Sequence, residues 1–85
     1  MYYVYLLLLE GDKTYIGSTL DLKRRFKEHC EGKVISTKGS GSKKLIHYEA
    51  YCLESDARRR EKFLKTTEEK RLLKQQLRDL FKNIK

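Results

Sequence analysis

The chain predicts an α+β fold, a small β-sheet flanked by helices in the order β-β-α-β-α-α. Three observations carry that prediction. Residues 2 to 17 hold two apolar segments separated by Glu10-Gly11-Asp12-Lys13, the pattern of a β-hairpin whose turn needs the permissive backbone of Gly11. Residues 44 to 52 alternate in character with period two, as a strand with one buried face does. Two further regions repeat apolar residues at helical spacing. Eighty-five residues without proline suffice for one domain over 1–85 with a modest core, and leave no room for a second.

The first strand covers residues 2 to 9 and the second 14 to 17. The near-continuous apolar run "VYLLLL" predicts that the first strand is covered on both faces and lies centrally in the sheet. The segment "STLDLKRRFKEHCEGK" follows as a helix, with Ser18 or Thr19 available as its cap. Leu22, Phe26 and Cys30 form its apolar stripe, and Gly32 stops it. Residues 33 to 43 combine glycine, serine and lysine without periodicity and read as a mobile basic loop suited to lie over a phosphate backbone. In the third strand Ile46, Tyr48 and Ala50 are the expected buried row, with His47, Glu49 and Tyr51 opposite. Ser55 can cap a helix over "DARRREKFLK", and Thr66 to Glu69 spell a capping box that opens a last helix. Leu73, Leu77, Leu80 and Ile84 share one stripe of that helix, which must pack on the core or form the face of a homodimer or other protein partner.

Charge is concentrated. Residues 21 to 45 hold eight Lys or Arg against three acids, and residues 56 to 85 hold eleven against five, within a net charge of +8. Such an excess suits a polyanion, whose condensed counterions are released on binding, and equally suits a merely solvated surface. The longest apolar run is far too short to span a bilayer and no signal peptide is evident, so no membrane partner and a cytoplasmic location are expected. Cys30 and Cys52 have no CxxC or Cys/His spacing for zinc, and are expected as small buried fillers.

Several side chains can carry chemistry. Arg25 and His29 stand four apart and project from one side of the first helix, at the rim of its apolar stripe, as either a site pair or ordinary boundary residues. Glu61 falls in series with Ala57 and Leu64, which places a carboxylate on the face its helix buries. There it is either a functional group or half of a structural ion pair.

Those positions fall in register with a known family. "VYLL", then "TYIGSTLDLKRRFKEH", then "ARRREKFLK" resemble the GIY-YIG nuclease superfamily, in the small single-domain form similar to the N-terminal endonuclease module of the bacterial excision-repair nuclease. Tyr3-Val4-Tyr5 stands where that family has Gly-Ile-Tyr, and Tyr15-Ile16-Gly17 is the YIG element. Arg25 lies ten beyond Tyr15, His29 four further, and Glu61 matches the distal glutamate. The resemblance implies a three-stranded antiparallel sheet flanked by helices and cleavage of phosphodiester bonds in DNA with one divalent cation, Mg²⁺ or Mn²⁺. It assigns Tyr5 as general base aided by Tyr15 and His29 through a hydrogen-bond network, Arg25 to the scissile phosphate, and Glu61 to the metal; Arg25, the metal and a protonated His29 are the cations available to stabilise the phenolate. Many members also place an asparagine after the glutamate, where this chain, from Lys62 to Leu80, offers Gln75 and Gln76 instead. Lys23, Arg24, Lys27, Lys33, Lys38, Lys43 and Lys44 are the expected backbone contacts. The function expected is an endonuclease acting on branched, damaged or single-stranded DNA in repair or recombination, without choosing against RNA; the alternative is a non-catalytic nucleic-acid-binding module on the same fold.

Overall fold

The computed structural model describes residues 1–83, so Ile84 of the expected last stripe lies outside the described residues. Three strands, β1 (Tyr2–Leu9), β2 (Thr14–Thr19) and β3 (Lys43–Tyr51), form one antiparallel sheet in the order β2-β1-β3. The first strand is central, as its apolar run requires. Gly11 (φ 81°) and Asp12 (φ 62°) are both left-handed, which gives the hairpin turn the sense of twist its strands need. Opposite that turn, Leu9 N–H donates to Lys13 O at 2.7 Å.

Val4, Tyr5, Leu6 and Leu7 are buried in succession because both faces of β1 are covered. Val4 and Leu6 join Ile16, Ala57, Leu64 and Leu73 in the main core, under the helices α2 (Glu54–Leu64) and α3 (Thr67–Gln76). Tyr5 and Leu7 point to the other face, where helix α1 (Leu22–Cys30) lies.

Several local expectations are corrected. Ser18 and Thr19 belong to β2 and lie too far ahead of Leu22, where α1 begins, to stand at its cap position. Asp21 caps it, accepting the Arg24 N–H at 3.1 Å. The residue α1 buries is His29, while Cys30 and Cys52 are exposed rather than core fillers. Residues 33 to 43 are not featureless: a 3₁₀ turn at Ile35–Thr37 buries Val34 and Thr37. Helix α2 starts after Leu53 with Ser55 inside its first turn, where Glu54 and Asp56 complement the helix dipole. Thr66 opens α3 without a side-chain cap, since its hydroxyl donates instead to Phe63 O at 2.9 Å. The last helix breaks at Leu77 (φ −102°, ψ 26°), leaving a short α4 (Arg78–Asn83). Leu77 and Phe81 nonetheless pack on the chain's own core.

The third strand departs most. A register shift between Leu6 and Leu7 sets His47 opposite Leu6 and Leu45 opposite Leu7, displacing Ile46. Beyond the bulge it is His47, Glu49 and Tyr51 that face the α2 side, while Tyr48 and Ala50 are exposed. The polar row is tolerated because Glu49 is saturated with donors: Arg60 Nε at 2.8 Å and Nη2 at 3.1 Å, Tyr51 OH at 2.7 Å and His47 Nε2 at 3.3 Å. No helix among the described residues is long and apolar enough to cross a membrane.

Burial opposes the charge on Glu49, but Arg60, Tyr51 and His47 together outweigh it and hold the carboxyl at about 2, below its ordinary 4.5. A carboxyl depressed by folding contributes stability that is present above its unfolded value and lost as pH falls through its folded one. The urea midpoint should therefore fall as pH drops from 4.5 toward 2, and Glu49→Gln should flatten that part of the profile.

Candidate active site

Tyr5 sits at the centre of the sheet's α1 face with only 2% of its surface exposed. Its hydroxyl is 2.8 Å from His29 Nε2, and His29 Nδ1 is 2.7 Å from Thr37 Oγ1. Both His29 and Thr37 are fully buried, so α1 turns a histidine inward because each ring nitrogen finds a partner there. The Tyr15 ring closes the group, with its centroid 6.3 Å from that of Tyr5 and 5.1 Å from that of His29.

The strand register explains why a glycine follows. Gly17 pairs with Tyr5, and a Cβ at Gly17 would lie 2.5 Å from the phenol oxygen, 2.7 Å from Tyr5 Cζ and 3.1 Å from Tyr15 Cε2. Its missing side chain is the space in which both tyrosines meet. Conformational freedom is not the reason, since Gly17 is not among the left-handed glycines.

Electrostatics divide the site. Burial pushes the Tyr5 phenol up to about 12, while the Arg25 guanidinium beside it pulls the other way. Burial, then Arg25 and Lys43, lowers His29, so the imidazole is neutral at neutral pH and the protonated form is not the resting one. Arg25 is half-exposed, braced by Glu28 Oε1 at 3.1 Å and held firmly charged by its contact with Tyr5. Glu61 approaches from the opposite side of the sheet, at the edge strand: Ser18 Oγ donates to it at 2.5 Å and Lys65 Nζ lies 2.9 Å from its other oxygen. Burial resists its charge, but Ser18 and Lys65 prevail and the carboxyl lies below its ordinary value, ionised at neutral pH. The negative charge of Glu61 reaches Tyr5, so the two halves are electrically linked.

The fold thus brings Tyr5, Tyr15, Arg25 and His29 together and keeps Glu61 at an adjoining edge. Among the described residues no group of three or more His, Cys, Asp or Glu could hold a metal. Of the expected backbone contacts, Lys23, Arg24, Lys27, Lys33, Lys38 and Lys44 are exposed, and Lys43 is half-buried with its charge felt by His29. Lys23 also edges an apolar groove of about 690 Å³ formed by Tyr3, Phe26 and Tyr48. Thr37 and Ser18 were not legible as site residues. Nor was a second basic cleft of about 640 Å³ between the hairpin turn and α3, lined by Lys13, Lys65, Lys70, Arg71 and Lys74. Lys70 and Lys74, one turn apart, were the sequence signal for it.

A sheet bearing two paired tyrosines over a glycine, with arginine and histidine on the next helix and a carboxylate on the one after β3, defines a GIY-YIG catalytic domain. The family model of that description matches residues 1–76, and the chain belongs to this family, whose members are generally endonucleases. Within it, the chain is similar to the UPF0213 proteins. It is 37% identical over 78 residues to one from Haloquadratum walsbyi, covering 89% of this chain and 84% of that one. A UPF0213 protein of Clostridium perfringens is 35% identical over 68 residues, covering 76% and 71%. The solution NMR structure of a UPF0213 protein from Bacillus halodurans superposes with a TM-score of 0.56 at 34% identity, over 86% of this chain and 82% of that one.

Because its methyl group would meet the Tyr5 ring and hydroxyl, Gly17→Ala should destabilise the protein by about 1–3 kcal/mol, read as a lower urea midpoint at unchanged m. Gly17→Ser should do no better.

Proposed function

We propose that this protein is a metal-dependent endonuclease that hydrolyses phosphodiester bonds in DNA, of branched, damaged or single-stranded form, in repair or recombination. The observation that carries this reading is the buried 2.8 Å hydrogen bond between Tyr5 and His29 beside the Arg25 guanidinium. A phenol, a neutral imidazole and a fixed cation at one point are the parts needed to deprotonate a water and brace a phosphate. Membership of the family supports it.

In this reading Tyr5 is the general base. Its proton passes to His29 Nε2, the phenolate takes a proton from water, and the resulting hydroxide oxygen bonds to phosphorus as the bond from phosphorus to the 3′ oxygen breaks; the departing 3′ oxygen takes a proton from solvent, and His29 returns its own to solvent. Tyr15 packs against both rings and fixes the direction of the phenol. Arg25 releases Glu28 and takes the scissile phosphate, where its charge also favours the phenolate. Glu61, an ionised and partly exposed oxygen donor, fits one Mg²⁺ or Mn²⁺ provided Lys65 yields the oxygen it now holds. Such an ion, when bound, supplies charge to offset that developing on the leaving oxygen. The substrate backbone is held by Lys23, Arg24, Lys27, Lys33, Lys38, Lys43 and Lys44, contacts that position without reading bases.

A second reading, a nucleic-acid-binding module without turnover, is favoured by one observation: both Glu61 oxygens already have partners in Ser18 and Lys65. Both readings require salt-sensitive DNA binding. The endonuclease reading requires nicking with Mg²⁺ or Mn²⁺ that chelation abolishes, and that Glu61→Ala and Arg25→Ala each reduce by about 10²-fold or more while folding and binding persist. Wild type and variants equally inert on duplex, single-strand, flap and four-way-junction DNA would leave the binding module. The sign of the pH dependence follows from His29. Tyr5 hands its proton to a neutral imidazole, so the reacting pair holds the same number of protons as the resting one; burial lowers His29 below its ordinary 6.5, and the single-turnover rate should rise with pH only as His29 loses its proton and stay level from about 7 to 9. A rate that climbs about tenfold per pH unit from 7 to 9 would remove His29 as the acceptor of the Tyr5 proton.

A further inference from the structure

Thr37 lies in the 3₁₀ turn of the basic loop, far in sequence from every motif residue except His29, and is fully buried against it. We propose that Thr37 is a positioning residue: its hydroxyl oxygen accepts the Nδ1–H of His29 at 2.7 Å and so holds the imidazole in the tautomer whose Nε2 lone pair faces the Tyr5 hydroxyl. This deepens the endonuclease reading and rests on it for its catalytic consequence, though the tautomer itself does not.

The assignment follows from counting donors. Arg25 can only donate, and its guanidinium beside the Tyr5 oxygen stabilises that oxygen as an acceptor, which leaves the Tyr5 O–H to find an acceptor elsewhere. Among the described residues, the acceptor placed at that hydroxyl is His29 Nε2. A neutral imidazole whose Nε2 accepts must carry its hydrogen on Nδ1, and the atom facing Nδ1 is Thr37 Oγ1. Among the described residues the hydrogen bond at Nδ1 is the one to Thr37 Oγ1; the charged groups that act on the ring are Arg25 and Glu28 of its own helix and Lys43 of β3, and the rings packed on it are Tyr5 and Tyr15. The same arrangement suits the next step. When the Tyr5 proton moves to Nε2, the imidazolium has two N–H groups, and Thr37 Oγ1 and the phenolate oxygen accept one each. In the opposite tautomer Nε2 already bears hydrogen and cannot take the proton.

The ¹⁵N shifts of the His29 ring at neutral pH, in the whole protein without DNA or metal, read the tautomer directly. Wild type and Thr37→Ser should show hydrogen on Nδ1, and Thr37→Val, which keeps the shape but loses the acceptor, should shift His29 toward Nε2–H. Wild type already in the Nε2–H form, or Thr37→Val unchanged from wild type, would overturn the proposal; the wild-type measurement decides even if the valine variant fails to fold. In cleavage assays Thr37→Val should lower kcat by about 10–100-fold with KM little changed, and Thr37→Ser should restore most of it. If wild type cuts no DNA while the tautomers behave as stated, the endonuclease reading falls and the positioning role stands. If wild type cuts and Thr37→Val cuts equally well, the positioning role falls and the endonuclease reading stands.

Discussion

The structure depends on the burial of one phenol in the middle of one strand. Tyr5 lies where an aliphatic residue would pack with less demand, on a central strand whose neighbours Val4, Leu6 and Leu7 are all core. Its hydroxyl must be satisfied inside the protein, and that requirement propagates outward. Histidine is drawn into α1 to meet it, a threonine in the following turn is drawn in to meet the histidine, and the facing strand gives up a side chain at Gly17 so that the ring fits. Without the phenol none of these three has a reason to be what it is.

The same burial sets the electrostatics of the site. It holds the phenol protonated and the imidazole neutral, a resting pair that is stable and poorly reactive. Arg25 is the counterweight the fold provides, and Glu61 on the other side of the sheet adds charge of the wrong sign for a phenolate. A cation bound at Glu61 and a phosphate engaging Arg25 would each change that balance. On the proposed function, the site would be at rest until substrate and ion arrive together.

Much of this was legible in the residues. The apolar run of β1 announced a strand covered on both faces. The spacing of Tyr5, Tyr15, Arg25 and His29 already pointed to one meeting place, because strand register and the helical repeat are both periodic. What was not legible was set by contacts between distant segments. The alternation of β3 inverted because a bulge displaces Ile46, and no composition rule announces a bulge. Cys30 was expected inside and His29 at the rim, whereas a polar residue whose hydrogen bonds are all met displaced the apolar one. Thr37 sat in a stretch of serine, glycine and lysine that carried no period at all, and its importance exists only in three dimensions.

On the proposed function Tyr5 is the reacting group, and removing its one hydroxyl oxygen tests that role most directly. The single-turnover rate of DNA nicking with saturating Mn²⁺ should fall by about 10²-fold or more in Tyr5→Phe and stay near wild type in Tyr3→Phe, whose ring instead stacks edge-on against the exposed Tyr48. A Tyr5→Phe protein that nicks DNA at the wild-type rate would contradict it.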